Sequence, residues 1–480
     1  MPTMTAPFTE QLYTYGHSSE LVSLGGRPFL HMATSGGLDA NLAPAAHPYF
    51  YSGFPNEPMS VAAGLLVVAK VSRTRYYVPP GMLAAILRAA DPVVTSSPQG
   101  LRFESFSACC GVYARLDVAA DALDTEFQAS GVTNVDVNPP LRQALAGLRP
   151  GEPLQLAVGD DGLRVRTLDA EAVEEKVELP RRWLKGFCEV QASASTVALR
   201  HELGPEDARR FIRSLPRTSS TGSVAWATRG ARSLRLASRP SPGAVCLAGP
   251  ERLRTLEPLM RFATGLRIYG RETDSGSLPS ASTWVLDLPG ARLSLTLSPD
   301  KSRGFPGEGG VLHEVAGAAA QDDAGILGAA LAFEPRIDLH RLGGKTGLRI
   351  PRVADALAVL ASSGQVGFDV AESGYFHRPL PFETGDLLGA HPRLEGAHKL
   401  LSLGAVAPLD PSAPGAESFA VHSGGTEYRV HLREQRADSC SCPWFAKYKG
   451  GRGPCKHVLA ARIFQRDSNQ TNHESECETE

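Results

Sequence analysis

Four residues near the C-terminal end of the chain, Cys440, Cys442, Cys455 and His457, have the types and the spacing to hold a metal ion. Zinc needs four soft or borderline ligands in a tetrahedron, and thiolate and imidazole supply them without redox chemistry. Cys440 and Cys442 are separated by one residue, which in an extended strand puts both sulfurs on one face. Cys455 and His457 repeat that spacing after Pro454, at the entry to Val458-Leu459-Ala460-Ala461-Arg462-Ile463-Phe464, an apolar stretch that reads as a helix. Pro443 to Pro454 form the connecting loop, and Gly450, Gly451 and Gly453 give it the freedom to fold back. Four protein ligands leave no open position for water or substrate, so one structural zinc ion is expected. It should supply on the order of 10 kcal/mol or more of folding energy to so small a module. A redox C-x-C pair is the alternative, and it has no need of the downstream C-x-H.

The order C-x-C-x12-C-x-H resembles the SWIM zinc finger, whose pattern is C-x-C, a variable gap and C-x-H. The similarity extends to Pro443-Trp444-Phe445 and to the apolar helix after His457, and it covers roughly Tyr428 to Arg466. The resemblance implies a ββα module in which zinc pins a hairpin to a helix, with DNA or proteins as partners. It also implies kinship with bacterial companions of MoxR-type AAA+ ATPases and von Willebrand A-domain proteins. The residues themselves do not point to those two partners.

The surface of this segment is basic. Between Asp438 and Asp467 no acidic side chain occurs, while Lys447, Lys449, Arg452 and Lys456 are candidates for neutralising phosphate, with Arg462 and Arg466 beyond them. Trp444, Phe445 and Tyr448 either stack on bases or form the small core of the finger. A second basic stretch runs from Arg209 through Arg213, Arg217 and Arg229 to Arg239, beside Thr218-Ser219-Ser220-Thr221-Gly222-Ser223. It reads as an anion-binding surface or, more simply, as a solvated face balanced by the acids between Asp169 and Glu178.

Other chemistry-bearing patterns fail their own requirements. Gly343-Gly344-Lys345-Thr346 lacks the earlier glycine of a phosphate loop, because Leu339 stands there. Arg181-Arg182-Trp183 reads as a packing anchor with snorkelling cations. His377, beside Arg378, reads as a satisfied structural histidine, and no nucleophile elbow or His-Glu-x-x-His occurs. No catalytic residue is assigned and the expectation is a non-enzymatic protein. The alternative is that the finger targets an unrecognised enzyme whose catalytic domain lies within residues 1–320, where an acidic constellation could be assembled by the fold.

These residues need a frame. A chain of 480 residues with 42% hydrophobic and 21% charged residues and a net charge of -2 reads as an ordinary multidomain α+β protein rather than a disordered one. No run of about eighteen uncharged apolar residues is present and the first 25 carry Glu10, His17 and Glu20, so no membrane association and a cytoplasmic location are expected. The excess of arginine over lysine suggests a bacterial, GC-rich source. Cys109-Cys110 are expected to be buried thiols in a strand from Phe103 to Leu116. Helices are expected at Pro80–Ala90, Pro140–Leu148, Pro205–Leu215 and Ile350–Ser363, and strands at 154–158, 163–166, 284–288 and 292–297, with a turn at 159–162. The helix from Ile350 followed by strands at 366–370 and 375–377 resembles the end of a winged-helix domain. The expected organisation is a mixed α/β N-terminal region (1–98), an α+β region (99–300), a winged-helix-containing region (311–400), the ββα zinc finger (418–466) and a disordered tail (467–480).

Overall fold

The computed structural model describes residues 12–13, 20–24, 27–32, 50–74, 76, 92–134, 139–158, 177–178, 181–218, 224–230, 233–301, 304–305, 318–362, 364–378, 392–409, 418–432, 438–448 and 454–477. The expected helix at 80–90, the turn at 159–162 and the strand at 163–166 lie outside them.

The largest element among the described residues is an eight-stranded antiparallel sheet. Its strands follow the order Ala198–Leu203, Gly265–Gly270, Ser282–Leu288, Ala291–Leu297, Val112–Ala119, Gly100–Phe106, Val93–Ser97 and Gly131–Asn134. Alternation along these strands sorts two kinds of residue to opposite faces. Leu116, Leu293, Leu286 and Leu266 pair in line on one face, where helix Pro58–Arg73 lies close enough that a side chain at Gly64 would strike Leu116. On the other face Thr95, Arg102, Asp117, Arg292 and Asp287 pair strand to strand as one row. Two residues along, Glu104, Arg115 and Ser294 form a second row.

That charged face is covered. Helix Arg181–Ala194 packs Trp183 and Phe187 against Phe106 and Tyr113 at its edge, consistent with the anchor expected at Trp183. Helices Ala318–Ala330, Leu339–Thr346 and Ile350–Ser362 precede the hairpin of Val366–Asp369 and Gly374–His377, and this hairpin lies on the two charged rows. Asp369 accepts from Arg115 at 2.6 Å, Arg292 reaches Glu372 at 2.6 Å, and Arg102 lies 3.6 Å over the Phe376 ring. Helix Ile350–Ser362 is buried from Ala356 to Ala361 against its neighbours and against helix Arg181–Ala194. The helix and hairpin are therefore where expected, and the hairpin packs on the sheet through Asp369 and Phe376.

Several boundaries differ from the sequence reading. The 1–98 and 99–300 regions are not separate, because strand Val93–Ser97 pairs with Gly100–Phe106 and helix Pro58–Arg73 shares one core with Leu116 and Leu293. A five-stranded sheet likewise joins strand Tyr51–Pro55 to Gln155–Val158 and Leu123–Gln128. The span Phe103–Leu116 is two strands joined by a turn at 107–111, and Cys109 and Cys110 sit half-buried in that turn, with Cys110 at φ 51°. A left-handed residue breaks the strand, which is why those thiols are not in it. Gly343-Gly344-Lys345 lies in the last turns of helix Leu339–Thr346, the end whose dipole disfavours an anion. His377 is buried and accepts at Nδ1 from the Phe333 amide at 2.9 Å.

Candidate metal centre

A four-stranded antiparallel sheet, Val406–Pro408, Ser418–Ser423, Thr426–His431 and Ser439–Cys440, carries the C-terminal module. Helix Lys456–Cys477 packs across it. Val458, Leu459, Ala461 and Ile463 of that helix share a core with Phe419, Val421 and Val430 of the sheet. Helix Pro392–Ser402 contributes Ala397 and Leu400 to the same core, so the module begins well before its expected start at 418. The helix also continues to Cys477, through residues expected to be a disordered tail. With its first turn fixed, each further residue adds a hydrogen bond, and neither proline nor glycine interrupts the run.

The four candidate ligands converge as the spacing suggested. The ligand atoms of Cys440, Cys442, Cys455 and His457 all lie within 4.8 Å of one another, and the four residues are buried. Bonds of about 2.3 Å to sulfur and 2.0 Å to nitrogen set the ligands of one tetrahedral ion roughly 3.5–3.8 Å apart, so the cluster fits a single zinc. Nδ1 of His457 is the nitrogen that faces the thiols, 3.8 Å from Cys440 Sγ. Three soft donors and one imidazole are a donor set suited to zinc, consistent with a single structural ion.

Local structure explains how the pairs meet. Cys440 ends a two-residue strand, Ser441 exchanges backbone and side-chain hydrogen bonds with Arg429 at 3.0 and 2.9 Å, and Cys442 stands just before a short helix, Pro443–Tyr448. The stretch expected to be all loop therefore starts as a helix, for which Pro443 suits the first turn. Both Cys442 and Cys455 precede helix starts and accept from amides there, Phe445 N–H at 3.4 Å and Val458 N–H at 3.5 Å. Amides aimed at sulfur favour the thiolate that zinc requires. A hydrogen bond from Cys440 holds the Cys455 thiol down at about 4, while the same bond pushes Cys440 up and burial raises Cys442.

Groups beyond the ligands hold the two halves together. Tyr428 stacks on the His457 ring at 4.5 Å. Asp438 and Arg462 pair at 2.6 Å, tying the segment before Cys440 to the helix after His457. Arg393 donates to the Pro454 carbonyl at 2.8 Å and lies 5.1 Å over the Trp444 ring. Sequence reasoning missed all three. Tyr428 and Asp438 lie close to the ligands in the chain and could have been considered, whereas Arg393 is far from them and gave no signal.

Of the proposed phosphate contacts, Lys447 is exposed and Lys456 half-buried, its stem alongside Gly396. Lys449 and Arg452 lie outside the described residues. Trp444 and Phe445 are half-buried and pack on the module core, so core packing is their observed role. In the second basic stretch Arg209 and Arg210 pair with Glu206 and Asp207 one helical turn away.

Comparison with known proteins agrees with this geometry. Residues 428–461 match the SWIM zinc finger family. The chain matches no curated protein. Among solved structures it is similar to the proliferating cellular nuclear antigen of Entamoeba histolytica, at 8% identity and a TM-score of 0.30, over 52% of this chain and 98% of that one. A likeness of that size carries no argument. No described helix is long and apolar enough to cross a membrane.

Proposed function

We propose that this chain, which carries a SWIM zinc finger at residues 428–461, is a non-enzymatic binding protein whose finger contacts nucleic acid, DNA foremost, through a basic rim. The zinc is structural, since four protein ligands close its coordination sphere. One observation carries the reading. Asp438, the acid nearest the ligands in the chain, is taken up by Arg462, and neither Lys447 nor Lys456 has an acidic partner among the described residues. Lys449 and Arg452 stand on the same connection between the ligand pairs. Cations without acidic partners, as Lys447 and Lys456 are among the described residues, are what phosphate neutralisation requires.

The test is binding of the zinc-loaded chain to DNA and RNA duplexes at graded salt. Affinity should fall steeply with salt, and Lys447→Glu should reduce the log–log slope by about one or more while leaving zinc content unchanged. Zinc-loaded protein that shows no salt-sensitive binding would exclude the reading.

A second reading is an adaptor that binds protein, the role that resemblance to companions of MoxR-type AAA+ ATPases and von Willebrand A-domain proteins suggests. Leu403 and Leu409, at the edge of the same module, are 68% and 44% exposed, and exposed leucines suit an apolar interface. Binding insensitive to salt and lost in Leu403→Lys would favour it.

A further inference from the structure

Between the charged face of the large sheet and the 318–377 segment lies a cleft of about 510 Å³, far from the zinc ligands in the chain. Its volume is in the range that small-molecule sites occupy, and the junction of two packed units is a common place for one. Its floor is the row of Thr95, Arg102, Asp117, Arg292 and Asp287, and its wall comes from Phe333, Arg336, Glu372 and His377.

The hydrogen-bonding balance of this cleft is uneven. Every acid in it already has an arginine: Asp117 has Arg102 at 2.7 Å, Asp287 has Arg267 at 2.6 Å, and Glu372 has Arg292 at 2.6 Å. The unmatched groups are donors. Arg336 is exposed and has no acceptor among the described residues. His377 accepts at Nδ1, so its ring proton sits on Nε2, which has no protein partner there. The Thr95 hydroxyl is buried and without a hydrogen-bond partner among the described residues. Phe333, whose amide sets the His377 tautomer, is held at φ 57°, a conformation costly for an aromatic residue and often found where a site is being shaped.

We propose that this cleft binds a small molecule bearing a carboxylate or phosphate group, with the anion held by Arg336 and the Nε2–H of His377 and the rest of the ligand lying along the row from Thr95 to Asp287. Both groups offer oxygen acceptors that a guanidinium fork matches. Arg336 supplies the charge, and the saturated acids on the floor no longer repel an anion.

Calorimetric titration of the full-length, zinc-loaded chain with inorganic phosphate and, separately, with succinate tests this. One or both probes should bind at one site per chain, and the tighter of the two identifies which anion the cleft prefers. Arg336→Ala should weaken binding about tenfold or more. Because Arg336 is exposed and unpaired among the described residues, the variant should unfold at the same temperature as the parent. Lys447→Glu, on the zinc module, should leave the affinity as it was. The proposal is overturned if neither probe binds at up to about 10 mM, or if Arg336→Ala binds as tightly as the parent.

Discussion

Arg378 and Glu104 are 274 positions apart in the sequence and meet as an ion pair in which neither side chain is exposed. Tyr113 also donates to Glu104, and Arg378 donates onward to the Gly364 carbonyl at 2.9 Å and lies 4.0 Å over the Phe187 ring. One guanidinium thus binds the sheet, helix Arg181–Ala194 and the hairpin segment to one another. Removing one partner strands the other charge away from water, which costs more than the pair contributes in isolation. Arg378→Met should lower unfolding free energy by about 3–5 kcal/mol in urea titration. The double variant Glu104→Gln, Arg378→Met should recover a large part of that loss, and a double variant as unstable as the single would contradict this account.

The zinc centre was legible because its information is local: two C-x-C-like pairs and a proline-led helix carry the ligands, and the structure brings together the residues that the spacing selects. The strands at 284–288 and 292–297 and the helix at 205–215 were legible for a similar reason, as alternation and a proline start act over a few residues. The covered charged face was not. In Val112–Ala119 the residues Tyr113, Arg115 and Asp117 alternate with Ala114, Leu116 and Val118, a pattern normally read as a strand with one face in water. Here the polar face is buried because Asp369 and Arg378, far along the chain, complete its charges. Long-range charge matching of this kind leaves no periodic trace, so the sequence reads as separate regions at 99–300 and 311–400.

His377 makes the fold sensitive to mild acid. Burial pushes its pKa down to about 4, with Arg378 acting in the same direction and Glu334 opposing. In the unfolded chain it titrates near the usual value of about 6.5, so between those two pH values the unfolded state binds the extra proton. Stability therefore rises with pH through this window and falls as pH drops, by about 3 kcal/mol across it. Denaturant titrations at intervals from pH 7 to pH 4 should show that slope, reduced by roughly one proton in His377→Gln. An unchanged slope in the variant would mean that the ring is solvated in the native state.

Gly367 faces Phe376 across the hairpin, and a Cβ at Gly367 would run into the phenyl ring. The ring cannot swing aside, because it is fully buried and Arg102 lies over it at 3.6 Å. Gly367→Ala should destabilise the chain by about 1–3 kcal/mol, the usual cost of overpacking, and should loosen the hairpin from the sheet. Hydrogen exchange of the amides in Val366–Asp369 and Gly374–His377 is the direct readout. Protection equal to the parent would show that the ring has another place to go.

Zinc uptake should release protons in a number set by the three thiols. Zinc binds the ligand cysteines as thiolates, and among them Cys440 is pushed up by its hydrogen bond to Cys455 and Cys442 by burial, so protons must leave when the ion enters. Adding zinc to metal-free protein in weak buffer with a pH indicator should therefore liberate protons in proportion to the zinc bound, and acidification should reverse the binding. Cys455→Ser should abolish stoichiometric zinc. Because the module has a core of its own, distinct from those of the large sheet and of the 318–361 helices, chelation should remove one thermal transition and leave the others in place. A single transition that moves as a whole on chelation would mean instead that the zinc module and the sheet unfold as one unit.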